Sequence, residues 1–143
     1  MKKFFLLMVF IAASISAHAQ LNIKTMVKSE PKKIETIQPA YSWLYETENG
    51  KELWLDTSNK YDRGYTHIFL GDTNEGCIQT ITDLLSLIEN EIAGTEVEQN
   101  GKTLVLMYKS NLGVKQLYVK QSGNAGYSWI TENQLRKLLD FFK

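Results

Sequence analysis

From residue 41 onward the chain alternates between two hydrophobic periods. Segments 41–48, 51–56, 65–70, 95–99, 102–109, 114–121 and 127–130 place apolar residues at every second position, the mark of strands with one buried face. Residues 74–92 instead set Cys77, Ile78, Ile81, Leu84, Leu85, Ile88 and Ile92 at three- and four-residue spacing. Residues 131–142 do the same with Leu135, Leu138, Leu139 and Phe142, so both segments are expected to be amphipathic helices. Asp72 with Glu75, and Thr131 with Gln134, have the spacing of capping boxes, and Ile130 can staple onto Leu135.

Turn chemistry sets the register. Asn49-Gly50 and Asn100-Gly101 are hairpin signals, because Asn and Gly tolerate the positive φ of a type I′ turn. A two-residue loop at Asn49-Gly50 pairs Glu48 with Lys51 and sets Tyr45 opposite Trp54. Trp43, Tyr45 and Trp54 then share one face, and Leu44, Leu53 and Leu55 the other. A third turn, Ser110-Asn111-Leu112-Gly113, is expected to pair Lys109 with Val114, since the competing register sets Lys109 against Lys115. Val97, Leu104, Leu106, Leu117 and Val119 then share one face, with Val105, Met107 and Tyr118 opposite.

The order β-β-β-α-β-β-β-(β)-α predicts an α+β fold, an antiparallel sheet of about six or seven strands with two helices on one face. Segment 48–55 resembles 99–106, and 64–68 resembles 126–130. A duplicated β-β-β-α unit is one reading, and chance reuse of turn and strand residues is the other.

Helices on one side bury one sheet face, and the other should be polar. Here it keeps Trp43, Tyr45, Trp54, Met107 and Tyr118. Three readings stand side by side: ordinary core under a curled sheet or a covering N-terminal segment, an interface for a homodimer or protein partner, and a sugar-stacking platform. Aromatics dominate interface hot spots, and nothing in the sequence supplies the polar groups of a sugar site. A non-enzymatic module acting through protein contact, of which an inhibitor or immunity-type protein is one version, is therefore the expected function.

The N-terminus changes what counts as the mature chain. Lys2 and Lys3 precede the apolar run 4–13, and Ala17-His18-Ala19 stands before Gln20, the layout of a cleavable secretory signal over residues 1–19. An uncleaved anchor is the rival, but residues 4–19 are too short and too interrupted to span a bilayer. Cleavage of 19 of the 143 residues leaves 124, enough for one core. Without Lys2 and Lys3, 14 basic side chains face 16 acidic ones, a net charge of about −2. That balance, with no basic run, gives no footprint for nucleic acid, and no later segment is apolar enough to span a membrane. An exported protein, periplasmic or extracellular and of bacterial type, is expected. Residues 20–40 are Lys-rich, hold both prolines and read as a flexible tether with a short edge strand at 34–37, which leaves 41–143 as the single folded domain.

Chemistry-bearing motifs are scarce. Cys77 is the single cysteine, so no intramolecular disulfide forms. Near a helix N-terminus, with His67 as base, it is the one candidate for nucleophilic catalysis. Asp72 and Glu75 oppose thiolate formation, and Cys77 falls on the buried stripe, where a cysteine is ordinarily a small hydrophobe. One His and one Cys do not make a structural zinc site, and the 71–76 loop lacks EF-hand spacing. No phosphate loop or nucleophile elbow is present, so no catalytic residue, metal or cofactor is assigned.

Overall fold

The computed structural model describes residues 29–57 and 64–143. The expected signal, residues 1–19, and the first part of the tether lie outside them. Among the described residues, eight strands and two helices follow in order: β1 Lys32–Gln38, β2 Ser42–Thr47, β3 Gly50–Asp56, β4 Tyr65–Gly71, α1 Asn74–Glu89, β5 Thr95–Gln99, β6 Lys102–Asn111, β7 Val114–Gln121, β8 Ser128–Thr131 and α2 Glu132–Phe142. They form two four-stranded antiparallel meanders, β1-β2-β3-β4 and β5-β6-β7-β8. The α+β class stands, but the expectation of one sheet with six or seven strands is corrected to two sheets with eight.

The count fell short at β1. Its only fully buried hydrophobic is Ile37, because an edge strand paired on one side needs few apolar positions. The strand runs over Lys32–Gln38, beyond the short 34–37 segment expected within a tether. Its return to β2 is a Pro39-Ala40 turn, closed by the Tyr41 N–H donating to the Gln38 carbonyl at 3.1 Å, with Ala40 at φ 64.

Two registers are displaced by two residues. Thr47 pairs with Gly50, which puts Trp43 opposite Trp54. The turn is centred on Glu48-Asn49, with Thr47 Oγ1 accepting the Asn49 N–H at 3.3 Å. Gly50 serves a different need: at φ 135 it lies against Gly71, whose carbonyl oxygen would stand 2.5 Å from any Cβ placed there. Likewise Asn111 pairs with Val114, and Leu112 and Gly113 take the positive φ values of 50 and 80. The Asn100-Gly101 hairpin forms with Gln99 paired to Lys102. A slip of two residues returns every side chain to its face, so the expected faces survive both displacements.

Both helices have side-chain N-caps. Thr73, rather than Asp72, caps α1 by accepting the Gly76 N–H at 3.1 Å, because Thr73 is the extended residue next to the first turn. The helix ends at Glu89, short of Ile92, where Glu91 turns to φ 52. Thr131 and Gln134 form the expected capping box on α2, and the Gln134 side chain also donates to Gln38 Oε1, tying α2 to β1.

One core joins both sheets to both helices. Leu44, Leu53 and Leu55 from the first sheet, and Leu104, Leu117 and Ile130 from the second, are almost fully enclosed with Ile81, Ile88, Leu135 and Leu138 of the helices. Each such side chain contributes about 1.5–3 kcal/mol of hydrophobic stabilisation. Phe142 is the one aromatic in this core among the described residues.

Candidate functional site

Most of the remaining aromatics gather on the faces turned away from the helices; Tyr108 packs against the core, and Phe141 is exposed on α2. On the first sheet Trp54 of central β3 lies between Tyr45 of β2, stacked at 4.1 Å between ring centroids, and His67 of β4, at 4.3 Å. Tyr65 meets Trp54 at 5.9 Å and takes Trp43 edge-on at 5.7 Å. Lys33 of β1 places its ammonium 5.6 Å from the Trp43 ring and 6.0 Å from that of Tyr45, within cation–π range. Strand alternation produces this layer. Trp43, Tyr45 and Trp54 stand on the side opposite Leu44, Leu53 and Leu55, which face the helices.

The second sheet repeats the arrangement. Met107 pairs with Tyr118 across β6 and β7, and Tyr118 pairs with Trp129 of β8. Tyr118 stacks on Tyr127 at 5.0 Å and lies 6.4 Å from Trp129. Tyr41, from the β1–β2 turn of the first sheet, meets Trp129 of the second at 6.3 Å. Trp43, Tyr45, Trp54, Met107, Tyr118 and Trp129 are all half-buried, whereas Tyr41, Tyr65 and Tyr127 are between 42% and 48% exposed.

Side-chain amides weld the two sheets. Among the described residues the outer edge of β4 pairs with no strand; instead Gln99 accepts the Phe69 N–H and donates to its carbonyl, both at 3.1 Å. The Gln121 side chain accepts the His67 N–H at 3.0 Å, and Asn124 donates to the Tyr65 carbonyl at 3.1 Å. Buried Ser128 donates to Thr66 Oγ1 at 2.8 Å. A strand edge that would otherwise invite pairing is thus closed, and the two aromatic clusters are fixed beside each other.

One polar group is set into the layer. Glu52 accepts the Trp54 indole N–H at 2.9 Å, and the same oxygen lies 3.4 Å from His67 Nδ1. The His67 hydrogen bond is the main force holding the Glu52 carboxyl below its ordinary range, against the opposing effect of burial. Through this one oxygen Glu52 fixes the indole and imidazole rings in place.

The structure does not bring Cys77 and His67 together. Cys77 is fully buried on the helix side, its thiol directed at the Gly71 carbonyl 3.6 Å away, and burial pushes its pKa up. His67 is on the aromatic face. A thiol held protonated and enclosed is a poor nucleophile. Among the described residues no group of three or more His, Cys, Asp or Glu side chains is placed to hold a metal ion, and no helix is long and apolar enough to cross a membrane.

The aromatic residues expected as binding candidates therefore fall into two adjoining clusters, Trp43, Tyr45 and Trp54 in one and Met107 with Tyr118 in the other. Tyr65, His67, Tyr127 and Trp129 complete them and were missed. Their signal was in the sequence: counting by two along 65–70 and 127–130 separates Tyr65 and His67 from Ile68 and Leu70, and Tyr127 and Trp129 from Ser128 and Ile130. No family model matches the chain, and no curated protein or solved structure matches it.

Proposed function

We propose that this chain is an exported, non-enzymatic module that works by protein–protein contact through the aromatic face, either with a second copy of itself or with another exported protein. The observation that carries the proposal is the segregation of side chains by chemistry. Aliphatics fill the core between sheets and helices, while nine Trp, Tyr and His rings from both sheets and their connections stand half-buried or exposed on the opposite side. Core aromatics would be enclosed; anchors of a contact surface are large, rigid and partly open. An inhibitor or immunity-type protein is one form this function takes. Export rests on the N-terminal pattern of residues 1–19 alone.

Sugar stacking is the second reading. It is weakened by the use the rings make of one another, since Trp54 already has Tyr45 on one flank and His67 on the other. The finer reading of the fold, a duplicated unit, draws support from the two successive runs of four strands and a helix.

Hydroxyl-radical footprinting tests the contact surface. In dilute protein Trp54, Tyr118, Tyr127 and Trp129 are expected to oxidise readily, and to become protected together when protein concentration rises or a partner is added. Protection by oligosaccharides alone, with quenching of tryptophan fluorescence, would favour the sugar reading. Rings that resist oxidation even in dilute protein would mean that the face is enclosed.

A further inference from the structure

The outer edge of the second sheet carries acidic side chains on the same sheet face as Val105, Met107 and Tyr118, since Glu96 pairs with Val105 and Glu98 with Thr103. Strand β5 is an outer strand of its sheet, paired only with β6. Gln99 and Lys102 close the two-residue hairpin and so exchange hydrogen bonds. The backbone N–H and C=O groups of Glu96 and Glu98 therefore point away from β6, toward the open edge. Tyr108 donating to the Ile92 carbonyl at 2.9 Å, and Thr103 facing β7 through Ser122, keep the same alternation. Among the described residues no strand or loop pairs with this edge.

Beside the edge lies a groove of about 400 Å³ between α1 and β5–β6. Leu84 and Leu87 of α1 line one wall, and Val97, Leu104 and Leu106 the other. Two of its three hydroxyls are engaged, Thr80 donating to the Leu70 carbonyl and Ser86 to that of Asp83, both at 2.7 Å; the third belongs to Thr95. What the groove offers is apolar surface, at the volume of small-ligand and side-chain pockets. Asp83 stands on its helix wall, with Gln79 donating to one oxygen. On the opposite face of β5, the Glu96 and Glu98 side chains are exposed.

From the open edge, the apolar groove and the acidic side chains together, we infer that β5 binds an extended segment of a partner protein in which apolar and basic residues alternate. Such a segment adds a strand to the sheet. Its apolar side chains enter the groove on the helix side, and its basic side chains meet Glu96 and Glu98 on the other. The same charges argue against a second copy as occupant, because pairing β5 with β5 brings four carboxylates together. Two lysines stand near this edge: Lys102, paired with Gln99 at the hairpin end, and Lys120, paired with Val105 on the Glu96 face and donating to the Ala125 and Gly126 carbonyls.

The probe is a labelled synthetic hexapeptide, acetyl-Lys-Val-Lys-Leu-Lys-Val-amide, titrated into the protein and followed by anisotropy and amide hydrogen exchange. Saturable binding is expected, with the Glu96 and Glu98 amides gaining protection. Replacing Glu96 and Glu98 together by Lys should weaken binding at least about tenfold while leaving the circular dichroism unchanged, since both side chains are exposed. Glu98→Pro, which deletes one outward N–H, is expected to weaken it comparably; the charge variant stands on its own should the proline disturb the strand. The inference is overturned if no saturable binding occurs, or if a peptide with Glu in place of Lys binds equally well. Protection confined to the aromatic face also overturns it. So does protection of Glu96 and Glu98 that rises with protein concentration and needs no peptide, because it would assign the edge to a second copy.

Discussion

Gln99 is the sharpest test of how the two sheets are held together. Its side-chain amide supplies both an acceptor and a donor to one residue of β4, with the Phe69 N–H and carbonyl each 3.1 Å away. A neutral hydrogen bond contributes about 1 kcal/mol net, and a polar group left bare costs about 1–3 kcal/mol. Gln99 is half-buried, so water reaches part of the edge once the side chain is shortened, and Gln99→Ala should lose about 1–2 kcal/mol. Gln99→Glu is more informative because it keeps the shape. The carboxylate still accepts from the Phe69 N–H, but its second oxygen now faces the Phe69 carbonyl with no proton between them. It should therefore cost more than the alanine, about 2–3 kcal/mol at neutral pH. Protonation restores the donor, so the deficit should shrink as the pH falls toward and below about 4.3, the ordinary value of a glutamate. Urea unfolding at pH 7 and pH 4, with hydrogen exchange at the Phe69 amide, measures each part. A Gln99→Glu protein as stable as the parent at pH 7 would refute the account of the joint.

Three further outcomes follow from named contacts. Gly50→Ala should destabilise by about 2–4 kcal/mol in urea unfolding, because a Cβ there meets the Gly71 carbonyl oxygen at 2.5 Å on a backbone at φ 135. Glu52 adds a pH dependence: its folded pKa lies below the ordinary glutamate value, so its stabilisation is complete above that value and is lost as the pH falls through the lower folded one. Glu52→Gln should remove that part of the acid transition, and an unchanged acid profile would contradict the assignment. Cys77, buried and held as the thiol, should stay inert to a thiol reagent in native protein and react at once in urea; rapid native reaction would reopen the catalytic pair with His67.

What the sequence made legible follows from which signals repeat. Period two on Leu53, Trp54 and Leu55, or on Leu104, Val105 and Leu106, assigns faces whatever the turn does, because register errors of two residues cancel. That is why the core and the first aromatic anchors could be read while the turns at Glu48-Asn49 and Leu112-Gly113 could not. At Asn49-Gly50 the turn signal was misleading, since Gly50 answers the close approach of Gly71, a contact between segments distant in sequence. The break into two sheets was illegible for the same kind of reason. It depends on Gln99, Gln121 and Asn124 reaching the edge of β4, and a glutamine in a strand looks the same whether it faces solvent or another strand. Strand β1 hid behind the polar composition that suits an edge.

The central claim is that the aromatic layer is a surface for contact, with the core on the other side of the sheets. The mass of a protein comprising residues 20–143, measured by light-scattering chromatography beside a Trp54→Glu variant, tests it most directly. The predicted result is a dimer whose variant keeps the parent circular dichroism and elutes as a monomer. A monomeric parent with an equally folded variant would give the face to a different protein in place of a second copy. A Trp54→Glu variant that unfolds would contradict the claim, because it would make Trp54 part of what holds the fold together.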